Sequence, residues 1–241
     1  MKPLRGSTNT NLLPWDKPAG LRASHQQQPA SYQLLLKKTS CLKRQNQINN
    51  DPKTKRLIQA FVDEILKYNK AHNIVGRHSQ SEIISLDIID CETILEHIQP
   101  SQTILDIGSG AGLPGLVIAI KTPSSKVTMF EKNKKKAYFI KKTIRTLHLK
   151  NARIVDKAIT PELMTDTLFD VVTARALAPA NKIVNMSQHL LTKTGKFLLM
   201  KGDIEKIKEE VAELDINTYS YTIHKTKAKD SKKHILEINK K

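Results

Sequence analysis

Twelve residues, Ile104-Leu105-Asp106-Ile107-Gly108-Ser109-Gly110-Ala111-Gly112-Leu113-Pro114-Gly115, constrain this chain more than any other stretch. A short apolar run reads as a strand, the backbone turns through glycines, and a helix is expected to start near Leu113-Pro114. Glycine lets the turn adopt positive φ and lets a ligand approach the main chain closely. The helix start offers free N–H groups to a polar or anionic group. A bland alternative stands beside this: G-x-G-x-x-G alone is a weak signal, and three glycines also suit a tight turn that binds nothing.

The surroundings favour a ligand. Short apolar runs at 103–107, 126–130, 152–155, 169–173 and 196–200 alternate with segments of helical spacing near 113–121, 133–148 and 180–192. Such alternation predicts an α/β fold with a mostly parallel, doubly wound sheet. Residues 218–224 and 234–238 read as strands joined by the polar stretch 225–233, which makes a C-terminal antiparallel hairpin on the sheet edge. Upstream, Leu57, Ile58, Phe61, Val62, Ile65 and Leu66 predict an amphipathic helix over 53–70. Ile84, Ile88, Cys91, Leu95 and Ile98 predict a second over 81–98.

The second strand, Val127-Thr128-Met129-Phe130, is followed by Glu131, 23 residues after Gly108. That is where a carboxylate would hold two ribose hydroxyls in a nucleoside-binding βαβ unit. Asp106, two residues before the first glycine, separates the candidate ligands. A carboxylate there suits the cationic aminoacyl end of S-adenosylmethionine and sits badly beside a pyrophosphate.

Composition sets the outer bounds. No apolar run approaches the roughly 18 residues of a membrane span, so no membrane embedding is expected. Cys41 and Cys91 form neither a disulfide framework nor a metal cluster and fit a reducing compartment. His72 and His78 are six apart without an acidic cluster, and His72, His97 and His148 read as surface or boundary residues, so no metal is expected. Forty basic against 23 acidic residues give a net charge of +17, which calls for a polyanion, either nucleic acid or an anionic membrane surface, and composition does not choose between them. Residues 1–50 carry eight basic residues and one acid, Asp16, with scattered Pro, Gln and Ser. They read as a largely disordered basic extension; a transit peptide and an RNA-tethering arm are the alternatives.

Asp106 to Gly115, in the pattern D-x-G-x-G-x-G, resembles motif I of Rossmann-like methyltransferases. Its Gly-Leu-Pro-Gly ending is similar to the loop of the RsmG (GidB) family, bacterial small-subunit ribosomal RNA guanine-N7 methyltransferases. Lys67-Tyr68-Asn69-Lys70-Ala71-His72-Asn73-Ile74, Ala174-Arg175-Ala176, Lys201-Gly202 and His234 resemble further blocks of that family, in order, from about residue 57 to 238. Two positions depart from it: Asp87 stands where the family usually has His, with Asp90 and Cys91 following, and Ala158 beside Lys157 stands where it often has Arg. Nothing in residues 1–50 matches.

The resemblance implies a Rossmann-like class I methyltransferase core over 101–241, with N-terminal helices over 51–100 packed on it. It implies S-adenosylmethionine held by Asp106, Gly108, Gly110, Gly112, Leu113, Glu131, Ile159, Thr160 and Arg175. Lys135, Arg175 and Lys201 are the implied RNA-binding or substrate-positioning residues. Asn73 is expected to fasten the N-terminal helices. Lys134, Lys135, Lys141, Lys142 and Arg145 share one face of their helix, either a solvated face or a phosphate-tracking stripe. No catalytic acid or base is assigned, because guanine N7 carries a free lone pair. The expected partner is small-subunit ribosomal RNA or the small-subunit particle, and the expected state a cytoplasmic monomer, since no long apolar seam is left over. The alternatives are a catalytically silent RNA-binding or ribosome-assembly protein on the same fold and, more distantly, an NAD-dependent oxidoreductase.

Overall fold

The computed structural model describes residues 51–226 and 232–241, so the expectations for residues 1–50 lie outside the described residues. Helix α1, Pro52–His72, begins where Asp51 Oδ2 accepts from the Thr54 N–H at 3.0 Å and Pro52 sets the first turn. It ends at Asn73, which takes the left-handed conformation (φ 42°) and donates its N–H to the Asn69 carbonyl. The expected fastening role is thus shared. Asn69 supplies the side chain, donating to the Val75 and Arg77 carbonyls at 3.0 and 2.8 Å and accepting from the Val75 N–H at 3.1 Å.

The uniform helix expected over 81–98 is a composite, α2. It runs as an α-helical turn (Gln80–Glu82), a π-helical segment (Ile83–Ile88), a second α-helical turn (Ile89–Glu92) and a 3-10 end (Thr93–His97). Its widened π segment carries Asp87. Apolar periodicity reports which face is buried; it does not report a local change of helical pitch.

Seven strands follow: β1 Thr103–Ile107, β2 Lys126–Phe130, β3 Ala152–Val155, β4 Phe169–Arg175, β5 Leu191–Lys201, β6 Tyr219–Lys225 and β7 His234–Lys240. Their order is β3-β2-β1-β4-β5-β7-β6. The first five are mutually parallel, and β7 runs antiparallel to both β5 and β6. The helices between them are α3 Gly115–Lys121, α4 Lys134–Thr146, α5 Ala180–Ser187 and α6 Ile204–Ala212. Phe61, Ile83, Val117, Phe139 and Leu198 belong to one buried core and Phe169, Ile183, Phe197 and Ile207 to the other, which puts α1–α4 on one face of the sheet and α5–α6 on the other.

One further expectation needs correction, and one element was not expected. The helix expected over 180–192 stops at Ser187, passes through a 3-10 turn and becomes β5 at Leu191. Tertiary pairing overrides the helical pattern there: Leu191 pairs with Phe169, and a register shift then lets Lys196 pair with Val171. Gly195 sits in that shift, where a Cβ would lie 2.8 Å from the Phe169 carbonyl oxygen. Helix α6 went unpredicted because only Ile207 and Val211 of its nine residues are buried.

Candidate functional site

The carboxyl ends of β1, β2 and β4 converge on the glycine loop. Gly108, Gly110 and Gly112 all have positive φ, at 67°, 58° and 82°. The loop is sewn down by its own main chain: the Gly108 and Ser109 N–H groups donate to the Phe130 carbonyl at 2.8 and 3.2 Å. The Gly112 and Leu113 N–H groups turn back to the Ser109 carbonyl at 2.7 and 2.9 Å. Two carboxylates complete it. Glu131 accepts from the Gly110 and Asn133 N–H groups, each at 2.8 Å, and Asp106 Oδ2 accepts from the Gly115 N–H at 3.0 Å.

Asp106 is fully buried, and its Oδ1 has no hydrogen-bond partner among the described residues. Burial pushes its carboxyl up to about 6, against the nearby Ser109 hydroxyl and the Gly115 N–H, which favour the charged form. An unmatched acceptor beneath a ligand loop is costly unless something donates to it.

Two clefts meet over the loop and share Gly108, Gly110, Lys136 and Leu177. One, of about 430 Å³, is walled by Glu131, Ala158, Ile159 and Met186. The other, of about 360 Å³, is walled by the 74–77 turn, Leu113, Asp87 and Arg175. A third, of about 530 Å³, continues past Arg175 and Leu177 to Asp90, Lys201 and Lys233. The charges are layered. Asp106 and Glu131 lie buried beneath, whereas Lys132, Lys157 and Lys182 line the cleft from exposed positions.

The opposite wall is held by ion pairs. Arg175, at the end of β4, donates to Asp87 Oδ1 at 2.8 Å and lies 3.8 Å from Asp90 Oδ2. Lys233 reaches the same Asp90 oxygen at 3.2 Å, and Arg77 Nε lies 3.7 Å from Asp87 Oδ2. Ala176 then takes positive φ (51°), and Leu177, 41% exposed, lies across Gly108: a Cβ on Gly108 would lie 2.6 Å from its Cδ1.

The fold therefore gathers Gly108, Gly110, Leu113, Glu131, Ile159 and Arg175 around the two clefts, with Asp106 directly beneath. Other expected residues stand elsewhere. Gly112 faces α3, where a Cβ would lie 2.4 Å from Leu116 Cδ1. Thr160 is exposed beside Ile159 and lines neither cleft. Lys135 is exposed and lines neither cleft, its main-chain carbonyl accepting from the Tyr68 hydroxyl at 3.1 Å, and the neighbouring Lys136 lines both clefts instead. Lys201 is engaged by Glu210 Oε2 at 2.6 Å and the Ala178 carbonyl at 2.7 Å. Sequence reasoning missed Arg77, Lys136 and Leu177. Of these, only Lys136 left a trace, as part of the run Lys134-Lys135-Lys136.

The family model described as rRNA small subunit methyltransferase G matches residues 54–238. The chain belongs to that family. A relative from Brachyspira hyodysenteriae named ribosomal RNA small subunit methyltransferase G is 34% identical over 192 residues, 79% of this chain and 92% of its own length. One from Magnetococcus marinus with the same name is 36% identical, over 70% of this chain and 78% of its own length. Among solved structures, a SAM dependent methyltransferase from Aquifex aeolicus has a TM-score of 0.52 at 15% identity, covering 66% of this chain and 92% of its own. TrmN from Thermus thermophilus has a TM-score of 0.52 at 16% identity, covering 65% and 50%. At these identities the structural likeness establishes the fold.

Both family departures have structural settings. Asp87 gives Arg175 an ion-pair partner, and Ala158 lies on the cleft wall beside the buried Ile159. Cys91, four residues after Asp87, is buried, and burial pushes its thiol up, which leaves it protonated and inert.

Proposed function

We propose that the protein transfers a methyl group from S-adenosylmethionine to N7 of a guanine in 16S ribosomal RNA of the small subunit. The observation that carries this reading is the pair of clefts joined over the glycine loop, with an unmatched Asp106 oxygen beneath and the buried Glu131 lining one of them. The residues fit the cofactor chemically. Glu131 keeps acceptor capacity for ribose hydroxyls beyond its two main-chain bonds, Ile159 offers an apolar edge to the adenine, and Asp106 suits a cationic aminoacyl group. Gly110 leaves its cleft open, since a Cβ there would meet only the Gly108 carbonyl oxygen, at 3.9 Å.

The cofactor supplies an electrophilic methyl group on a sulfonium. Guanine N7 attacks with a lone pair that needs no prior deprotonation, so the chain's residues position and stabilise, and none has to accept a proton. Arg175 stands between the second and third clefts, fixed by Asp87, where a phosphate or the target base would pass. The exposed lysines above and the buried carboxylates below match a polyanion on the outside and a cation within. Lys134, Lys135, Lys141 and Arg145 extend the basic surface along α4, while Lys142 is tied to Glu64 at 2.9 Å and stands apart from that stripe.

The site set proposed is Asp106, Gly108, Gly110, Leu113, Glu131, Ile159 and Arg175 for the cofactor and guanine, with Lys136 added. Gly112 and Thr160 act through loop shape and Lys201 by holding the 178 turn against α6. Residues 51–100 form the helical cover and 101–241 the methyltransferase core. Among the described residues no helix is long and apolar enough to cross a membrane, and we assign the protein to the cytoplasm as a monomer.

The deciding assay is transfer of labelled methyl from S-adenosylmethionine to small-subunit particles that lack this modification. One N7-methylguanosine per particle is the expected product. Cofactor and RNA binding without transfer to particle or naked RNA would move the protein to the silent RNA-binding class.

A further inference from the structure

Three side chains from different elements converge on one face of the C-terminal hairpin, outside the clefts. His97 closes the 3-10 end of α2, His224 lies on β6 and Glu237 on β7. None of the three lines the clefts around the glycine loop. His224 Nε2 is 3.1 Å and His97 Nδ1 is 3.8 Å from the same carboxylate oxygen, Glu237 Oε2. The two imidazole rings pack with centroids 4.3 Å apart, and all three donor atoms lie within 4.8 Å of one another. The other carboxylate oxygen, Oε1, is occupied by Lys196 Nζ at 3.2 Å and Asn239 Nδ2 at 3.4 Å.

We propose that His97, His224 and Glu237 bind a divalent zinc-class ion through His97 Nδ1, His224 Nε2 and Glu237 Oε2. Zinc bonds of roughly 2.0–2.2 Å in tetrahedral geometry place neighbouring ligand atoms about 3.3–3.6 Å apart. The observed 3.1 and 3.8 Å separations bracket that span, and the two imidazole nitrogens lie within 4.8 Å of each other, so ring rotations that draw them together would seat the ion. Two imidazoles and one carboxylate are a zinc donor set, and three protein ligands leave a fourth position for water. Lys196 lowers the carboxylate's net charge but also pins its orientation through Oε1, leaving Oε2 for the metal, as a hydrogen-bond partner does for a ligating carboxylate. The side chains are 19%, 31% and 18% exposed, so an ion and its water can enter. Ligation through His224 Nε2 replaces its hydrogen bond to Glu237 and needs the ring in the tautomer that carries its proton on Nδ1. The ion would clamp the end of α2 to the β6–β7 hairpin, a structural role separate from methyl transfer.

The test is zinc sulfate titrated into the full chain by calorimetry, with His97→Ala, His224→Ala and the exposed control His78→Ala in parallel. One ion per wild-type and His78→Ala chain is expected. Each ligand variant should lose more affinity than the roughly 10–100-fold that follows loss of an outer hydrogen-bond partner. Cobalt(II) added to the wild type gives a readout that needs no variant: an intense visible spectrum of four-coordinate nitrogen and oxygen ligation is expected. Wild type that holds no zinc, ligand variants that bind as wild type does, or the pale spectrum of six-coordinate cobalt would each overturn the site.

Discussion

The β1–α3 loop and the β4–α5 rim face each other across Leu177, and they hold their shapes by different means. The loop is fixed by main-chain hydrogen bonds and by two carboxylates drawn from its own βαβ unit. The rim is fixed by charges from far away: Arg175 depends on Asp87, 88 residues earlier, and the Ala178 carbonyl on Lys201. A wall built locally tolerates changes elsewhere in the chain, whereas a wall built from distant ion pairs moves when any partner changes.

The strongest way to break the loop is from beneath. In Gly115→Val the Cβ would lie 2.6 Å from both Asp106 Oδ2 and Met129 Cγ. Overpacking of this kind, together with the disturbed Asp106 bond, should cost about 3 kcal/mol or more, read as a lower midpoint in urea. Gly110→Val sharpens the contrast, because its Cβ meets open space. Strain at φ 58° should cost about 1–3 kcal/mol, the chain should stay folded, and S-adenosylmethionine binding should vanish by calorimetry.

The rim should yield next. Asp87→Ala leaves Arg175 without its closest partner and should cost about 1–3 kcal/mol in denaturant unfolding. Methyl transfer should fall while affinity for S-adenosylmethionine is largely kept. Equal losses in both would mean that the two walls are one unit.

A pH titration separates the walls without touching the rim. Asp106 has its carboxyl raised from the ordinary 3.8 to about 6 by burial. Cofactor affinity should therefore rise as pH passes upward through about 6, and Asp106→Asn should flatten that rise. The stability effect has the opposite sign. A carboxyl raised on folding stabilises most below its unfolded value and loses that contribution as pH rises through about 6, so Asp106→Asn should be the more stable chain at pH 7. The smallest effect on folding belongs to the joint neutralisation of Lys134, Lys141 and Arg145, exposed residues of α4. Stability should move by no more than about 0.5 kcal/mol. The salt dependence of RNA binding should flatten by up to roughly one slope unit for each phosphate that these side chains no longer neutralise.

The features legible along the chain are those that neighbouring residues decide. Strand periodicity, the glycine turn, Asp106 and the acid at the end of β2 lie within 28 residues, and each follows from dihedral preference or from the fixed geometry of a βαβ unit. The five parallel strands and the C-terminal hairpin were legible for the same reason. Local pattern misled where distant pairing took over, at β5 from Leu191, and where pitch changed without a change of face, in the π segment that carries Asp87. Packing between distant elements brings Arg175 to Asp87, puts Lys136 and not Lys135 in the clefts, engages Lys201 with Glu210, and carries His97 and His224 to one carboxylate. Those contacts depend on how helices seat on a twisted sheet to within about an ångström, and no spacing along the chain encodes that distance.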